Sequence, residues 1–177
     1  MAITAGLSSV SPAAAKHAPR VTSCTGADVM PANATPGATA ATTLCLLNDQ
    51  RSAHGLRPLK AQVKLTTAAS AFSQQMVQQG FFNHVSPGGS TLTTRIDKTH
   101  YTAGARSWSL GENIAWGSGA RATPAQIVDA WMHSAGHKAN ILSSSFKEIG
   151  IGVANGAPFA GGARAAATYT TDFGSRG

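Results

Sequence analysis

Three residues carry most of the chemistry that this sequence offers, namely His84, Glu112 and His137. Each lies beside an aromatic residue or a turn containing glycine or proline, which would restrict the motion of its side chain. Two imidazoles and one carboxylate form a ligand set that binds Zn²⁺ and leaves one coordination position open for water. The three residues are far apart in the chain, and the sequence contains six histidines. The alternative is therefore that two restricted histidines occur by chance and form no metal site.

The segment around His137 predicts how this side chain is held. Thr123 has the properties of a helix N-cap, Pro124 suits the first helical position, and Gln126 would complete a capping box. Gly136 suits the position just after a helix, where a residue without Cβ takes the left-handed conformation at little cost. We therefore expect His137 to lie just past a helix end, on a turn that the apolar Trp131 anchors.

Other catalytic arrangements are not supported by the sequence. His133 and His137 have the spacing of two zinc-protease histidines, but Ser134 occupies the place of the catalytic glutamate and Gly136 would break the helix. His133 is therefore expected at the surface or at the edge of a cavity. The sequence has no G-x-S-x-G motif, no P-loop and no catalytic Cys–His pairing.

Composition narrows the class of protein. The length of 177 residues is enough for one domain with a substantial core. Lys and Arg number 14 against 7 acidic residues, but the basic residues are scattered, which does not favour specific nucleic-acid binding. Only Glu112 and Glu148 are glutamates, so a mechanism that needs a glutamate has to use one of them.

The N-terminal region suggests export without establishing it. The triple alanine of residues 13–15 resembles a signal-peptidase site, although residues 1–20 lack a charged start and an apolar stretch and are equally consistent with a flexible arm. No apolar run is long enough to span a bilayer. Cys24 and Cys45 predict a single disulfide and an oxidising compartment, and two buried thiols are the alternative.

The predicted elements indicate an α+β domain. Residues 1–41 are assigned to an N-terminal lead-in, extended over residues 21–41, and residues 42–177 to the domain. Helices are predicted for residues 42–54, 65–79, 91–98 and 123–134, and strands for residues 108–116, 148–154 and 165–173. Because the strands come mostly late and glycine-rich loops join them, we expect a central antiparallel sheet with helices packed on it.

Several motifs, in order, resemble the CAP superfamily of cysteine-rich secretory proteins, antigen 5 and pathogenesis-related 1 proteins. They are Phe-Asn-His-Val-Ser-Pro at residues 82–87, Gly-Glu-Asn-Ile-Ala at 111–115, the segment 131–142 and Ile-Gly-Ile-Gly-Val at 149–153. The resemblance covers about residues 42–174 and is to the short bacterial secreted branch of the superfamily. It implies an α-β-α sandwich with a surface cleft.

In that family the cleft is lined by two histidines and usually two glutamates. The resemblance assigns these roles to His84, His137 and Glu112, and places the second glutamate near Ser134, where this chain has none. The expected set is therefore a triad, which weakens any acid–base scheme that needs two glutamates. Zinc binding to the triad would be weak, with water completing the coordination shell.

Three functions follow as hypotheses for a secreted, extracellular or cell-envelope protein that we expect to be monomeric. The first is a binding module for a lipid, glycan or peptide, with a cleft that can hold a divalent metal. The second is a zinc-dependent hydrolase that uses His84, Glu112 and His137. The third is a structural or stress-related envelope protein. The missing second glutamate favours binding over catalysis.

Overall fold

The computed structural model describes residues 24–159 and 165–177, so the predicted signal-peptide remnant lies outside the described residues. Within these ranges the chain forms five α-helices and four β-strands. In chain order they are α1 Pro36–Ala53, β1 Lys60–Ala61, α2 Val63–Gln79, α3 Leu92–Lys98, β2 Trp108–Ser118, α4 Pro124–Met132, α5 Ala135–Ile141, β3 Glu148–Asn155 and β4 Ala166–Arg176. The predicted α+β class is confirmed.

One mixed sheet lies at the centre, with the strand order β1-β3-β4-β2. The three long strands β3, β4 and β2 are antiparallel, as predicted. The two-residue strand β1 was not predicted, and it pairs with β3 in the parallel direction. It escapes detection because two residues cannot show an alternating pattern.

Helices cover both faces of the sheet, which gives the α-β-α sandwich that the resemblance implied. On one face, Ile149, Ile151 and Val153 of β3 pack in a core with Leu47 of α1 and Trp131 of α4. On the other face α2 lies across β3 and β4, with Leu65, Phe72 and Met76 fully buried. Burial of these side chains is the main stabilising contribution, at about 2 kcal/mol for each one.

The alternate positions of β3 are glycines, which lets α2 approach the strand closely. A Cβ atom on Gly150 would overlap the backbone of Leu65, and one on Gly152 would overlap the backbone of Ala69. The Ser73 hydroxyl of α2 also lies 3.1 Å from the carbonyl oxygen of Gly152. This strand was predicted to be half-buried, but residues 149–154 are buried on both faces because the helix backbone covers the glycines.

Helix α1 begins earlier than predicted. It starts at Pro36, where the Thr35 side chain accepts a hydrogen bond from the amide of Ala38, and it crosses the predicted domain boundary at residue 42. The extended conformation predicted for residues 36–41 is therefore wrong, and the domain boundary at residue 42 stays a prediction. The first turns of this helix are mostly alanine and threonine, so they carry no apolar periodicity, and the capping signal Thr-Pro was the only indication of its start.

The region around His137 also differs from the prediction. Helix α4 ends at Met132, and Gly136 lies inside the next helix, α5, without a positive φ angle. His137 is therefore part of α5 rather than a residue after a helix end. The capping box is absent as well, since the Thr123 hydroxyl donates to the carbonyl oxygen of Ala120.

The predicted disulfide is confirmed. Cys24 and Cys45 are bonded, with 5.8 Å between their Cα atoms, and the bond joins the segment before α1 to the middle of that helix. Closure of a loop of this length is worth on the order of 3 kcal/mol by chain entropy.

The close approach of α2 to β3 predicts the effect of enlarging a glycine. We expect Gly152→Ala to lower the free energy of unfolding by about 3 kcal/mol, because the atoms it meets belong to a helix backbone and cannot rotate away. Urea unfolding measures the change. Gly136→Ala is the control, since nothing lies within 4 Å of its added Cβ, and it should stabilise by up to about 1 kcal/mol. Equal effects of the two substitutions would contradict this account.

Candidate functional site

The structure brings His84 and Glu112 into direct contact. His84 lies in the loop between α2 and α3, and Glu112 lies in the middle of β2. The Nδ1 atom of His84 is 2.7 Å from Oε1 of Glu112. The Glu112 side chain is 3% exposed and the His84 side chain is 53% exposed, so the carboxylate is buried beneath an accessible imidazole.

His137 joins the site from α5, which two asparagines fasten to β2. The Asn113 side chain donates to the carbonyl oxygen of His137 over 3.1 Å. The Asn140 side chain donates to Oδ1 of Asn113 over 2.8 Å and to the carbonyl oxygen of Glu112 over 3.2 Å. These amides hold the helix against the strand that carries Glu112.

The two imidazoles lie close enough to influence each other. Partial burial lowers the pKa of His137, and repulsion from His84 lowers it further. His137 is therefore neutral, and able to bind a metal through a ring nitrogen, down to a lower pH than an ordinary histidine. His133 follows the last residue of α4 and is exposed, with 77% of its side chain accessible.

Arg95 is the site residue that the sequence analysis missed. Its Nη2 atom is 2.5 Å from Oε2 of Glu112, and the Arg95 side chain is 7% exposed. The guanidinium lies over the ring of Phe72 on α2, 3.4 Å from the ring centroid. Nothing in the sequence distinguishes Arg95 from the other scattered basic residues, because its partner Glu112 lies on a strand whose position depends on the fold.

Arg95 also orders the loop that carries His84. Its Nη1 atom donates to the carbonyl oxygen of His84 over 3.1 Å and to that of Ser90 over 2.9 Å. One buried cation therefore holds both the carboxylate and the backbone of the histidine that contacts it.

The geometry changes the role expected for Glu112. Each of its two oxygens has one partner, His84 or Arg95, and the side chain is 3% exposed, so burial leaves the carboxylate little access to water or to a metal ion. A carboxylate accepts from Nδ1–H of a neutral imidazole and leaves Nε2 with its lone pair directed elsewhere. Glu112 therefore orients His84 in the way that carboxylates orient metal-binding histidines.

A second carboxyl lies beneath the site. Asp172 on β4 pairs directly across from Glu112 in the sheet, and it is fully buried. Burial raises the pKa of Asp172 well above its ordinary value, and repulsion from Glu112 raises it further, whereas Arg95 lowers it. Among residues 24–159 and 165–177, neither Asp172 oxygen accepts a hydrogen bond, so no donor stabilises the ionised form.

The described residues contain one group of three or more metal-binding side chains that lie within reach of one another, and it consists of Cys24, Cys45 and Asp49. Its sulfur atoms form the disulfide, so they provide no thiolate ligands. His84, Glu112 and His137 do not form such a group, and their assignment as a metal triad stays a prediction. The donor set that the geometry leaves available is Nε2 of His84 together with the His137 ring.

The fold and the site define a three-layer α-β-α protein in which an accessible histidine lies above a buried ion pair between Glu112 and Arg95. Residues 44–169, more than half of the chain, match the CAP family, described as the cysteine-rich secretory protein family. The chain belongs to this family. The predicted resemblance is confirmed.

Three relatives illustrate the similarity. YkwD of Bacillus subtilis is 39% identical over 107 residues, which cover 60% of this chain and 39% of YkwD. The membrane protein YlbC of the same organism is 31% identical over 110 residues, covering 62% of this chain and 30% of YlbC. An extracellular protein containing an SCP domain from Bacillus anthracis has a solved structure with a TM-score of 0.60 and 25% identity, covering 79% of this chain and 43% of that one. This chain spans less than half the length of each of the three.

The buried pair predicts a large cost when one partner is removed. Arg95→Met should lower the free energy of unfolding by about 3–5 kcal/mol, because Glu112 would keep a buried charge without its cation. Urea unfolding measures this, and Arg95→Met combined with Glu112→Leu should recover part of the loss. A cost below about 1 kcal/mol for the single variant would show that the pair is unimportant for stability.

Asp172 predicts a pH dependence of stability. Because its pKa is raised in the folded state, the folded protein holds this proton more tightly than the unfolded chain does. The protonated Asp172 therefore adds to the free energy of unfolding. This stabilisation is fully present below the ordinary aspartate pKa of about 3.9, and it is lost at about 1.4 kcal/mol for each pH unit as the pH rises towards the folded-state pKa.

Unfolding of wild type and Asp172→Asn between about pH 4 and pH 7 tests this expectation. The free energy of unfolding of the variant should increase relative to wild type as the pH rises through this range. Asp28→Asn is the control, because Asp28 is exposed. A difference between wild type and Asp172→Asn that does not change with pH would contradict the assignment.

Proposed function

We propose that this chain is an extracytoplasmic CAP-domain binding module whose ligand contacts the cleft between His84 and His137. One observation carries the proposal: both oxygens of Glu112 are engaged by His84 and Arg95. The cleft thus offers two imidazoles for recognition, whereas its one carboxylate is buried and already has two partners. Its polar character favours a glycan or peptide over a lipid.

An extracytoplasmic location is supported by two features. The Cys24–Cys45 disulfide is typical of oxidising compartments, and the Bacillus anthracis relative is described as extracellular. In the part of the chain that the structure describes, no helix is both long enough and apolar enough to cross a membrane.

A divalent metal would be held by Nε2 of His84 and by His137, with water in the remaining positions. The donor set suits Zn²⁺, because neutral imidazole is a preferred zinc ligand and Glu112 already fixes the orientation of the His84 ring. A bound zinc ion would supply a Lewis-acid contact to an oxygen of the ligand. With two protein ligands we expect weak binding.

Titration calorimetry with Zn²⁺ tests the metal part of the proposal. His137→Ala should weaken binding by roughly tenfold or more, equivalent to about 1.4 kcal/mol, whereas the exposed His133→Ala should leave it unchanged. Affinity should be higher at about pH 7.5 than at about pH 5.5, because imidazoles bind metal only when neutral. Because the pKa of His137 is lowered, protonation of this ring should weaken zinc binding only at a pH below the ordinary histidine pKa. Equal losses from the two variants would contradict the assignment of His137.

Binding and hydrolysis are separated by two further measurements. On arrays of glycans and peptides, the labelled protein should give signals that His84→Ala combined with His137→Ala abolishes and His133→Ala preserves. Unchanged signals in the double variant would place the binding surface elsewhere.

Zinc-loaded protein incubated with casein should release no more peptide than the double variant does. Release that depends on His84, His137 and Glu112 would establish the alternative, a zinc-dependent hydrolase. The third hypothesis, a structural envelope protein, predicts neither binding nor release.

A further inference from the structure

A second concave site lies away from the histidine cleft. It is a cavity of about 660 Å³ between the end of α1, residues 55–58, strand β1 and residues 144–148. We call it the basic cavity. None of the cleft residues His84, Arg95, Glu112 and His137 lines it. Its volume lies within the range of about 300–1,000 Å³ that is typical of small-molecule sites.

Five basic residues and one acidic residue line the basic cavity, namely Arg51, Arg57, Lys60, Lys147, Arg176 and Glu148. The one carboxylate is already occupied: Tyr101 donates to it over 2.7 Å, and Arg176 lies 3.8 Å from it. All seven acidic residues of the chain lie within the described ranges. Among these described residues, no carboxylate forms an ion pair with the other four cations.

Arg51 makes this imbalance significant because it is buried, with 2% of its surface exposed. Among the described residues its hydrogen-bond acceptors are all neutral carbonyl oxygens: those of Arg57 at 2.9 Å, Ile141 at 2.7 Å, Ser143 at 2.9 Å and Phe146 at 3.5 Å. Burial without a counter-ion lowers the pKa of Arg51. A guanidinium has five N–H donors, so one remains beyond these four contacts.

Comparison with Arg95 shows that Arg51 is without a counter-charge in the described part of the chain. Both arginines are buried, but Arg95 has the carboxylate of Glu112 as its partner and Arg51 has none among the described residues. A buried charge is normally compensated by an opposite charge. In the basic cavity an anion could supply that charge from outside the chain.

The remaining wall of the cavity is apolar. Leu56 and Pro58 line one part, and Phe146 lines another, where it stacks on Phe173 with ring centroids 5.5 Å apart. A ligand that used the whole cavity would therefore combine an anionic group with an apolar part. Four cations without carboxylate partners favour a group that carries nearly two negative charges and several acceptor oxygens, which is a phosphate monoester rather than a carboxylate.

We propose that the basic cavity is a binding site for an organic phosphate monoester with a small apolar substituent. The phosphate lies against Arg57, Lys60 and Lys147, above the buried Arg51, and the substituent contacts Leu56, Pro58 and Phe146. The source of this chemistry is either a free metabolite-sized phosphate ester or the headgroup of a phospholipid.

Calorimetric titration of the full chain with phenyl phosphate tests the proposal. Phenyl phosphate should bind saturably and more tightly than inorganic phosphate, which lacks the ring, and more tightly than benzoate, which carries less charge. Binding should weaken as the salt concentration rises. Absence of saturable binding would overturn the proposal. Equal affinities for phenyl phosphate and inorganic phosphate would also overturn it, because the apolar wall would then contribute nothing.

Paired variants connect the binding to the cavity. Arg57→Gln combined with Lys147→Gln should weaken phenyl phosphate binding roughly tenfold or more, equivalent to about 1.4 kcal/mol. Both side chains are exposed at the rim, so folding should be unaffected, and circular dichroism checks this. The matched control is Lys98→Gln combined with Arg121→Gln, which removes the same charges from exposed positions outside the cavity. If both double variants lost the same affinity for phenyl phosphate, the effect would come from the net charge of the protein rather than from the cavity, and the proposal would be overturned.

Two further measurements identify the source of the ligand and the independence of the site. Sedimentation with phosphatidylcholine vesicles, with and without phosphatidic acid, should show binding that depends on phosphatidic acid if the headgroup is the ligand. Binding of phenyl phosphate without vesicle binding would identify a free phosphate ester. His84→Ala combined with His137→Ala should leave phenyl phosphate affinity unchanged. A loss in that variant would show that the two sites are one, against the proposal.

Discussion

The arrangement of this domain depends on the close packing of α2 against the glycine face of β3. Because Gly150 and Gly152 have no Cβ, the helix backbone rests directly on the strand. That contact sets the position of Phe72, whose ring supports the Arg95 guanidinium. Arg95 in turn holds Glu112 and the loop of His84. The geometry around Glu112 therefore follows from a packing constraint between α2 and β3.

The two buried arginines, Arg95 and Arg51, differ in how their positive charge is compensated. Arg95 is paired with Glu112, so its positive charge is compensated within the protein. In the part of the chain that the structure describes, Arg51 donates to carbonyl oxygens and has no carboxylate partner, so its positive charge is not compensated there. The histidine site and the basic cavity share no lining residue, so the two proposed binding roles can be tested separately.

Among the described residues, no other side chain takes the place of the missing second glutamate near residue 134. Ser134 lies between α4 and α5 and makes no capping hydrogen bond there, so it does not replace the acidic group. The one remaining cleft glutamate is committed to a histidine and an arginine. Asp172 is the nearest additional carboxyl, but it is buried behind Glu112 and cannot reach a ligand in the cleft. The absence of a glutamate near residue 134 and the burial of Glu112 are the two observations behind the proposed binding role.

The sequence by itself determined the features that depend on local pattern: the helix α2 with its glycine cap at Gly80, the three long strands, the disulfide and the motifs of the CAP family. It also identified His84 and Glu112, which the structure joins in one contact. It could not place the start of α1, which lacks apolar periodicity, or the break that puts His137 inside α5. The roles of Arg95, Asp172 and Arg51 were decided only by the tertiary structure. Their charges matter because of partners that lie on other elements, and burial and pairing across a sheet leave no pattern in the order of the residues.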